Sequence, residues 1–138
     1  IDHEERTNAD RILRAVGSTV WIEDEAQMDA VTAVSGSGPA YVFYFIEAVE
    51  AAARERGFDA ATARRLAVET FFGASRLAEE SPESIATLRE RVTSKGGTTE
   101  AALQSFAASG IAAAVARGIT AAETRGRELG DILGRDEC

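Results

Sequence analysis

Apolar residues recur along this chain at steps of three and four, which is the period of one helix face. The clearest stripe is Ala63, Leu66, Ala67, Thr70, Phe71, Ala74, Leu77 and Ala78, opened by Asp59 as an N-cap. Punctuation elsewhere predicts more helices. Asp2 caps one running to about Val16, with Gly17 as its C′ residue. Asp24 caps a second, through about Val34, which Ser35-Gly36-Ser37-Gly38 interrupts. Pro39 suits a first turn and opens a long helix that ends before Gly57. Ser81-Pro82 predicts a start for a helix to about Thr93, and Thr98 for one to Ser109. After Gly110, a last helix runs from Ile111 to about Leu129, where Gly130 is expected to stop it. One stretch alone, Ser18 to Ile22, reads as a β-strand. The fold class is therefore all-α.

Two of these helices lack a polar face. Ala40-Tyr41-Val42-Phe43-Tyr44-Phe45-Ile46 is apolar all round, and Ile111 to Ala122 is mostly Ala and Gly. The first could be a buried strand, but Pro39 before it and the Ala-rich sequence after it favour helix. A helix covered on every side needs more neighbours than one short bundle supplies, so a second protomer or a second domain is expected. A compact monomer with one central helix is the alternative.

Composition narrows the function. The 138 residues are 45% hydrophobic and 28% charged, as in an ordinary globular domain. The longest apolar run, Gly38 to Ile46, is about nine residues against the roughly 18 of a bilayer span, so no membrane role is expected. Net charge is −8, with 15 basic and 23 acidic residues, which argues against a nucleic-acid partner. Lys95 is the only lysine. An acidic, arginine-biased chain suits a high-salt cytoplasm or a GC-rich genome equally. One cysteine, Cys138, excludes an internal disulfide framework, and a lone His3 leaves no metal site to expect. No signal peptide is legible, so a cytoplasmic location is expected, and a first residue of Ile1 rather than Met suggests a fragment of a longer protein. Gly36-Ser37-Gly38 begins a G-x-G-x-x-G pattern, but position 41 is Tyr and a helix precedes it, so no cofactor-binding residue is assigned.

The candidate chemistry lies in Ser94-Lys95-Gly96-Gly97-Thr98-Thr99-Glu100. Glycines admit a ligand close to the backbone. The helix start after them leaves unpaired N–H groups at a positive dipole end, which suits a carboxylate or phosphate. The hydroxyls of Ser94, Thr98 and Thr99 lie close by. The plain alternative is a helix cap, with Thr98 bonding its own first turn.

Two segments carry a resemblance. Met28 to Tyr41, with Ser35-Gly36-Ser37-Gly38-Pro39, and Thr93 to Leu103, with Gly96-Gly97-Thr98-Thr99, resemble the C-terminal half of pyrroline-5-carboxylate reductase. The similarity spans roughly Asp10 to Leu129, with Lys95 where the family commonly has proline. It implies a single all-helical dimerisation and substrate domain over 1–138, similar to the 6-phosphogluconate dehydrogenase C-terminal domain, interlocked as a homodimer. Assembly beyond the dimer is left open. It also implies an N-terminal Rossmann domain, absent here, that binds NADPH or NADH. The implied activity is reduction of 1-pyrroline-5-carboxylate to L-proline in proline biosynthesis, an activity that this chain alone is expected to lack. By the same resemblance, Ser94, Gly96, Gly97, Thr98 and Thr99 bind substrate, with the backbone N–H groups around Gly97, Thr98 and Thr99 holding its carboxylate; Thr99 is read as the catalytic hydroxyl at the ring nitrogen, and Ser35 to Pro39 as shaping the pocket floor. Glu100 is read as complementing the helix dipole. The alternatives are a non-catalytic helical dimerisation module, or a Rossmann-linked dehydrogenase for another small acid.

Overall fold

The computed structural model describes residues 1–134; the expectation for Cys138 lies outside them. Seven α-helices form: α1 (His3–Leu13), α2 (Met28–Val31), α3 (Gly38–Glu55), α4 (Ala60–Glu80), α5 (Ile85–Arg91), α6 (Thr98–Ala108) and α7 (Ile111–Leu133). A 3-10 turn, Glu25–Gln27, precedes α2, and a π turn, Thr32–Gly36, follows it. No strand is present among the described residues.

Capping explains most boundaries. Asp2 closes a capping box with Glu5 at the start of α1, and Asp24 Oδ1 accepts from the Ala26 N–H at 3.0 Å. Three expectations are corrected. Ser18 to Ile22 forms no strand, because a strand needs a partner to satisfy its backbone and none of the described residues offers one. It folds back on α1 instead: Thr19 donates to Asp10, and Arg6 lies 4.6 Å from the Trp21 ring centre. Second, the α5 helix starts at Ile85, not at Ser81-Pro82. The Ser84 hydroxyl accepts from the Thr87 N–H at 3.1 Å, while Ser81 closes a turn by accepting from the Glu83 N–H. Third, Gly130 does not stop α7, which continues to Leu133. Glycine weakens a helix without forbidding it.

α3 and α4 make a hairpin, turning at Gly57, whose φ is +94°. Ala63 and Ala67 of α4 are fully buried, and small side chains there let the two axes approach closely. The second packed unit joins α2 and the π turn to α7, and α6 also touches α7. Ala33 is buried in that joint. A Cβ on Gly126 of α7 would stand 3.1 Å from Asp29 Oδ1 of α2, so this crossing is close. Gly126→Ala should be nearly neutral: the helix gains about 1 kcal/mol in propensity while a movable carboxylate shifts. Gly126→Leu should lower stability by about 1–3 kcal/mol, read as a lower urea midpoint. Equal midpoints for Leu and Ala would contradict the close crossing.

Three alanines are the whole of the fully buried apolar set among the described residues. The surface is 11261 Å², whereas a compact monomer of 14.6 kDa exposes about 6,900 Å². Phe43 is 68% exposed and Tyr44 70%. The helices that looked too apolar for a small bundle are therefore open to solvent on a single chain. No single helix among the described residues is long and apolar enough to cross a membrane; only α6 and α7 taken together, bent by 52°, reach that apolarity.

The α4 cap is sensitive to acid. Asp59 accepts from the Thr62 N–H at 3.0 Å and from the Thr62 hydroxyl at 2.7 Å. These bonds, the backbone one foremost, hold its pKa below the ordinary carboxylate value. A lowered folded-state pKa means that the cap contributes above the unfolded pKa and is lost as pH falls through the folded one, hence below about pH 4. Asp59→Asn keeps an acceptor without the charge. The wild type should melt higher than this variant at neutral pH, and that gap should close in acid. A gap unchanged with pH would rule out the ionised cap.

Candidate functional site

α5 ends at Arg91, and the chain reverses through Ser94-Lys95-Gly96-Gly97 into α6. Gly96 has φ +72°, a left-handed conformation that side-chain-bearing residues adopt only with strain. The Gly97 N–H donates to the Ser94 carbonyl at 3.0 Å and closes the turn. A Cβ on Gly97 would meet that carbonyl oxygen at 3.0 Å. The two glycines therefore serve different needs, one conformational and one steric.

The donors of this turn divide in two. Gly96 N–H donates to Glu100 Oε2 at 2.6 Å, and Gly97 N–H to Ser94. The next inward bond is Ala101 N–H to the Gly97 carbonyl. The amides of Thr98, Thr99 and Glu100 are left with no intramolecular partner among the described residues. Gly97 is the N-cap, and no side chain caps it, so Thr98 does not close its own first turn. The open donors thus lie one residue further along than the Gly97, Thr98 and Thr99 amides that the family resemblance implies. Gly96 and Gly97 shape the turn rather than present free N–H groups.

The hydroxyls divide similarly. Thr70, Thr93, Thr120 and Thr124 each donate to the carbonyl four residues back. Thr98 and Thr99 sit in a first turn, where the residue four back lies outside the helix, and neither makes such a bond. Thr99 is half-buried, while Ser94, Lys95 and Thr98 are exposed. Beside the turn, Arg89, Thr93, Glu100, Leu103, Gln104 and Phe106 help to line an open hollow of about 660 Å³. The Glu100 bond to Gly96 is a contact that the sequence reading did not find, although a Glu three residues after an N-cap is a signal for a side chain that reaches back.

The other motif is a corner. Ser37 N–H reaches the Thr32 carbonyl, five residues back, at 2.8 Å, and the Tyr41 hydroxyl donates to the Ala33 carbonyl at 3.0 Å. The extra residue of the π turn frees a carbonyl that Tyr41 then satisfies. Gly36 and Gly38 thus stand at a junction of helices, outside any strand-to-helix nucleotide loop. This corner and α6 both pack on α7. No group of three or more His, Cys, Asp or Glu side chains is arranged to hold a metal among the described residues.

Residues 25–129 match the family described as pyrroline-5-carboxylate reductase dimerisation. The chain belongs to the pyrroline-5-carboxylate reductase family. It is 49% identical over 127 residues to the pyrroline-5-carboxylate reductase of Pseudomonas aeruginosa, covering 92% of this chain and 46% of that protein. With the Haemophilus influenzae reductase it shares 52% identity over 102 residues, covering 73% and 38%. The solved pyrroline-5-carboxylate reductase of Coxiella burnetii superposes with a TM-score of 0.90 at 40% identity, over 94% of this chain and 48% of that one. The Plasmodium falciparum pyrroline carboxylate reductase, solved with NADP bound, superposes with a TM-score of 0.84 at 27% identity, over 94% and 49%. The chain spans about half the length of the reductases it matches. The all-helical fold expected from the periodicity is the fold found, and α1 with its extended tail precedes the matched residues.

Proposed function

We propose that this chain is the dimerisation and substrate half of a cytoplasmic reductase that converts 1-pyrroline-5-carboxylate to L-proline, the last step of proline biosynthesis, with NADPH or NADH. The observation that carries this reading is the triplet of open amides at the start of α6, next to an uncommitted Thr99 hydroxyl, in a chain 49% identical to such a reductase. As the family resemblance implies, the hydride donor belongs to an N-terminal dinucleotide-binding half; Gly36-Ser37-Gly38 of this chain is built into a helix corner. Ile12 and Leu13 of α1, and Val16 just beyond it, are exposed on this chain and offer an apolar surface to that half. Two copies of this chain cover each other's α3 and α7. The partners are a second copy and a small acid, with no nucleic acid and no membrane.

The reaction adds a hydride to the carbon of a cyclic imine and a proton to its nitrogen. When bound, the nicotinamide supplies the hydride. The amides of Thr98, Thr99 and Glu100 hold the substrate carboxylate at the positive end of α6. This local attraction is needed, because the net charge of −8 repels an anion at a distance. Thr99 presents its hydroxyl to the ring nitrogen and steadies the proton there, and a held carboxylate fixes the ring for attack.

The test is pyrroline-5-carboxylate-dependent oxidation of NADPH by the full-length protein. Activity is expected there and none from residues 1–138 alone. Thr99→Val should cost about 1–3 kcal/mol in kcat/KM, the worth of one hydrogen bond, with the dimer intact. A folded, nucleotide-binding dimer that does not turn over this imine would move the function to another small acid or to a dimerisation module.

A further inference from the structure

Glu100 is placed to do more than favour the helix dipole. Its Oε2 lies 2.6 Å from the Gly96 nitrogen, in the range of a charge-assisted bond. Gly96 is the most permissive point of the turn, at φ +72° with nothing within 4 Å of where a Cβ would be. No neighbour closes on it from that side. Among the described residues, the turn is closed, apart from the Glu100 bond, by the 3.0 Å bond from Gly97 to Ser94. The three open amides begin at the next residue. Whatever fixes Gly96 fixes the direction in which those amides point.

We propose that Glu100 is a positioning residue: its carboxylate latches the Gly96 amide, keeps the turn shut, and leaves the amides of Thr98, Thr99 and its own residue aligned for the substrate carboxylate. This rests on the reductase reading and deepens it by assigning how the anion site is held open. The latch places one carboxylate beside the site of another, so the charge of Glu100 works against substrate binding while its hydrogen bond works for it. Glu100→Gln keeps an acceptor for Gly96 and removes the charge. Glu100→Ala removes both.

The experiment compares the full-length wild type, Glu100→Gln and Glu100→Ala in pyrroline-5-carboxylate-dependent NADPH oxidation, with exchange of the Gly96 amide followed by NMR. Glu100→Ala should raise KM about tenfold with kcat changed by less than about twofold, as expected when a ground-state contact is lost. Glu100→Gln should match or fall below the wild-type KM. The Gly96 amide should be protected in the wild type and Gln variant and exposed in the Ala variant. A Gln variant as impaired as Ala, an unchanged KM in Ala, or a loss confined to kcat would overturn the latch, as would an unprotected Gly96 amide in an active wild type. An inactive wild type with a protected Gly96 amide would instead sink the reductase reading.

Discussion

Gly97→Val in the full-length protein should lower kcat/KM by about 10² or more while the helix content is kept, because displacement of a positioned group by about 1 Å has that effect on a reaction that depends on orientation. The reason is local. A Cβ at this position already meets the Ser94 carbonyl oxygen at 3.0 Å, and that atom is backbone, held by the bond it accepts from Gly97 itself. A branched side chain cannot be accommodated by turning a rotamer. The turn must open, and the amides of Thr98 and Thr99 then point elsewhere. Since α6 is nucleated by its own residues and packs on α7, circular dichroism should change little. Steady-state kinetics with a melting curve decide the matter: near-normal kcat/KM would show that the turn is not part of the site.

Phe43→Glu combined with Tyr44→Glu should abolish the dimer and, with it, most of the folded chain. Both residues stand open on α3, and Tyr44, with Phe45, Ile111, Val115 and Ile119, lines an apolar groove between α3 and α7. A single chain fully buries three alanines and leaves about 4,000 Å² more surface than a compact monomer of its mass. Burial on that scale is what the proposed second copy would supply, since obligate interfaces bury about 2,000 Å² or more. Two carboxylates placed in such an interface lose their water without gaining a partner, so the dissociation constant should rise by at least about 10³. Sedimentation should find the wild type as a dimer and the variant as a monomer with reduced helix signal. A variant that remained dimeric would place the interface away from α3. A folded wild-type monomer would overturn the dimer itself.

Much of this architecture is legible in local chemistry. Asp2 and Asp59 cap the helices they were expected to cap, and Asp24 caps the 3-10 turn that leads into α2, because a cap is a bond between neighbours in the chain. The α4 stripe needs only its own period to be recognised, and the Gly-Gly-Thr-Thr segment marks its helix start through residue type alone. Boundaries that depend on competition are not legible in this way. Ser81 and Ser84 are both fit to begin α5, and only the folded turn selects Ser84. The same holds at the site, where the Gly97 amide is free by residue type and position but in the fold is taken by the Ser94 carbonyl, as the Gly96 amide is by Glu100.

From the sequence by itself came the all-helical class, the apolar excess on α3 and α7, the family resemblance and the turn that opens α6. These follow from periodicity, composition and short-range residue chemistry, which act within a few positions of one another. The tertiary structure alone decided that Ser18 to Ile22 is not a strand, that the chain enters the Ser35 to Gly38 corner through a π turn, Thr32–Gly36, packed on α7, and which amides remain for a ligand. Each of these depends on where a backbone N–H or C=O finds its partner, and partners distant in the chain are brought within reach only by the fold.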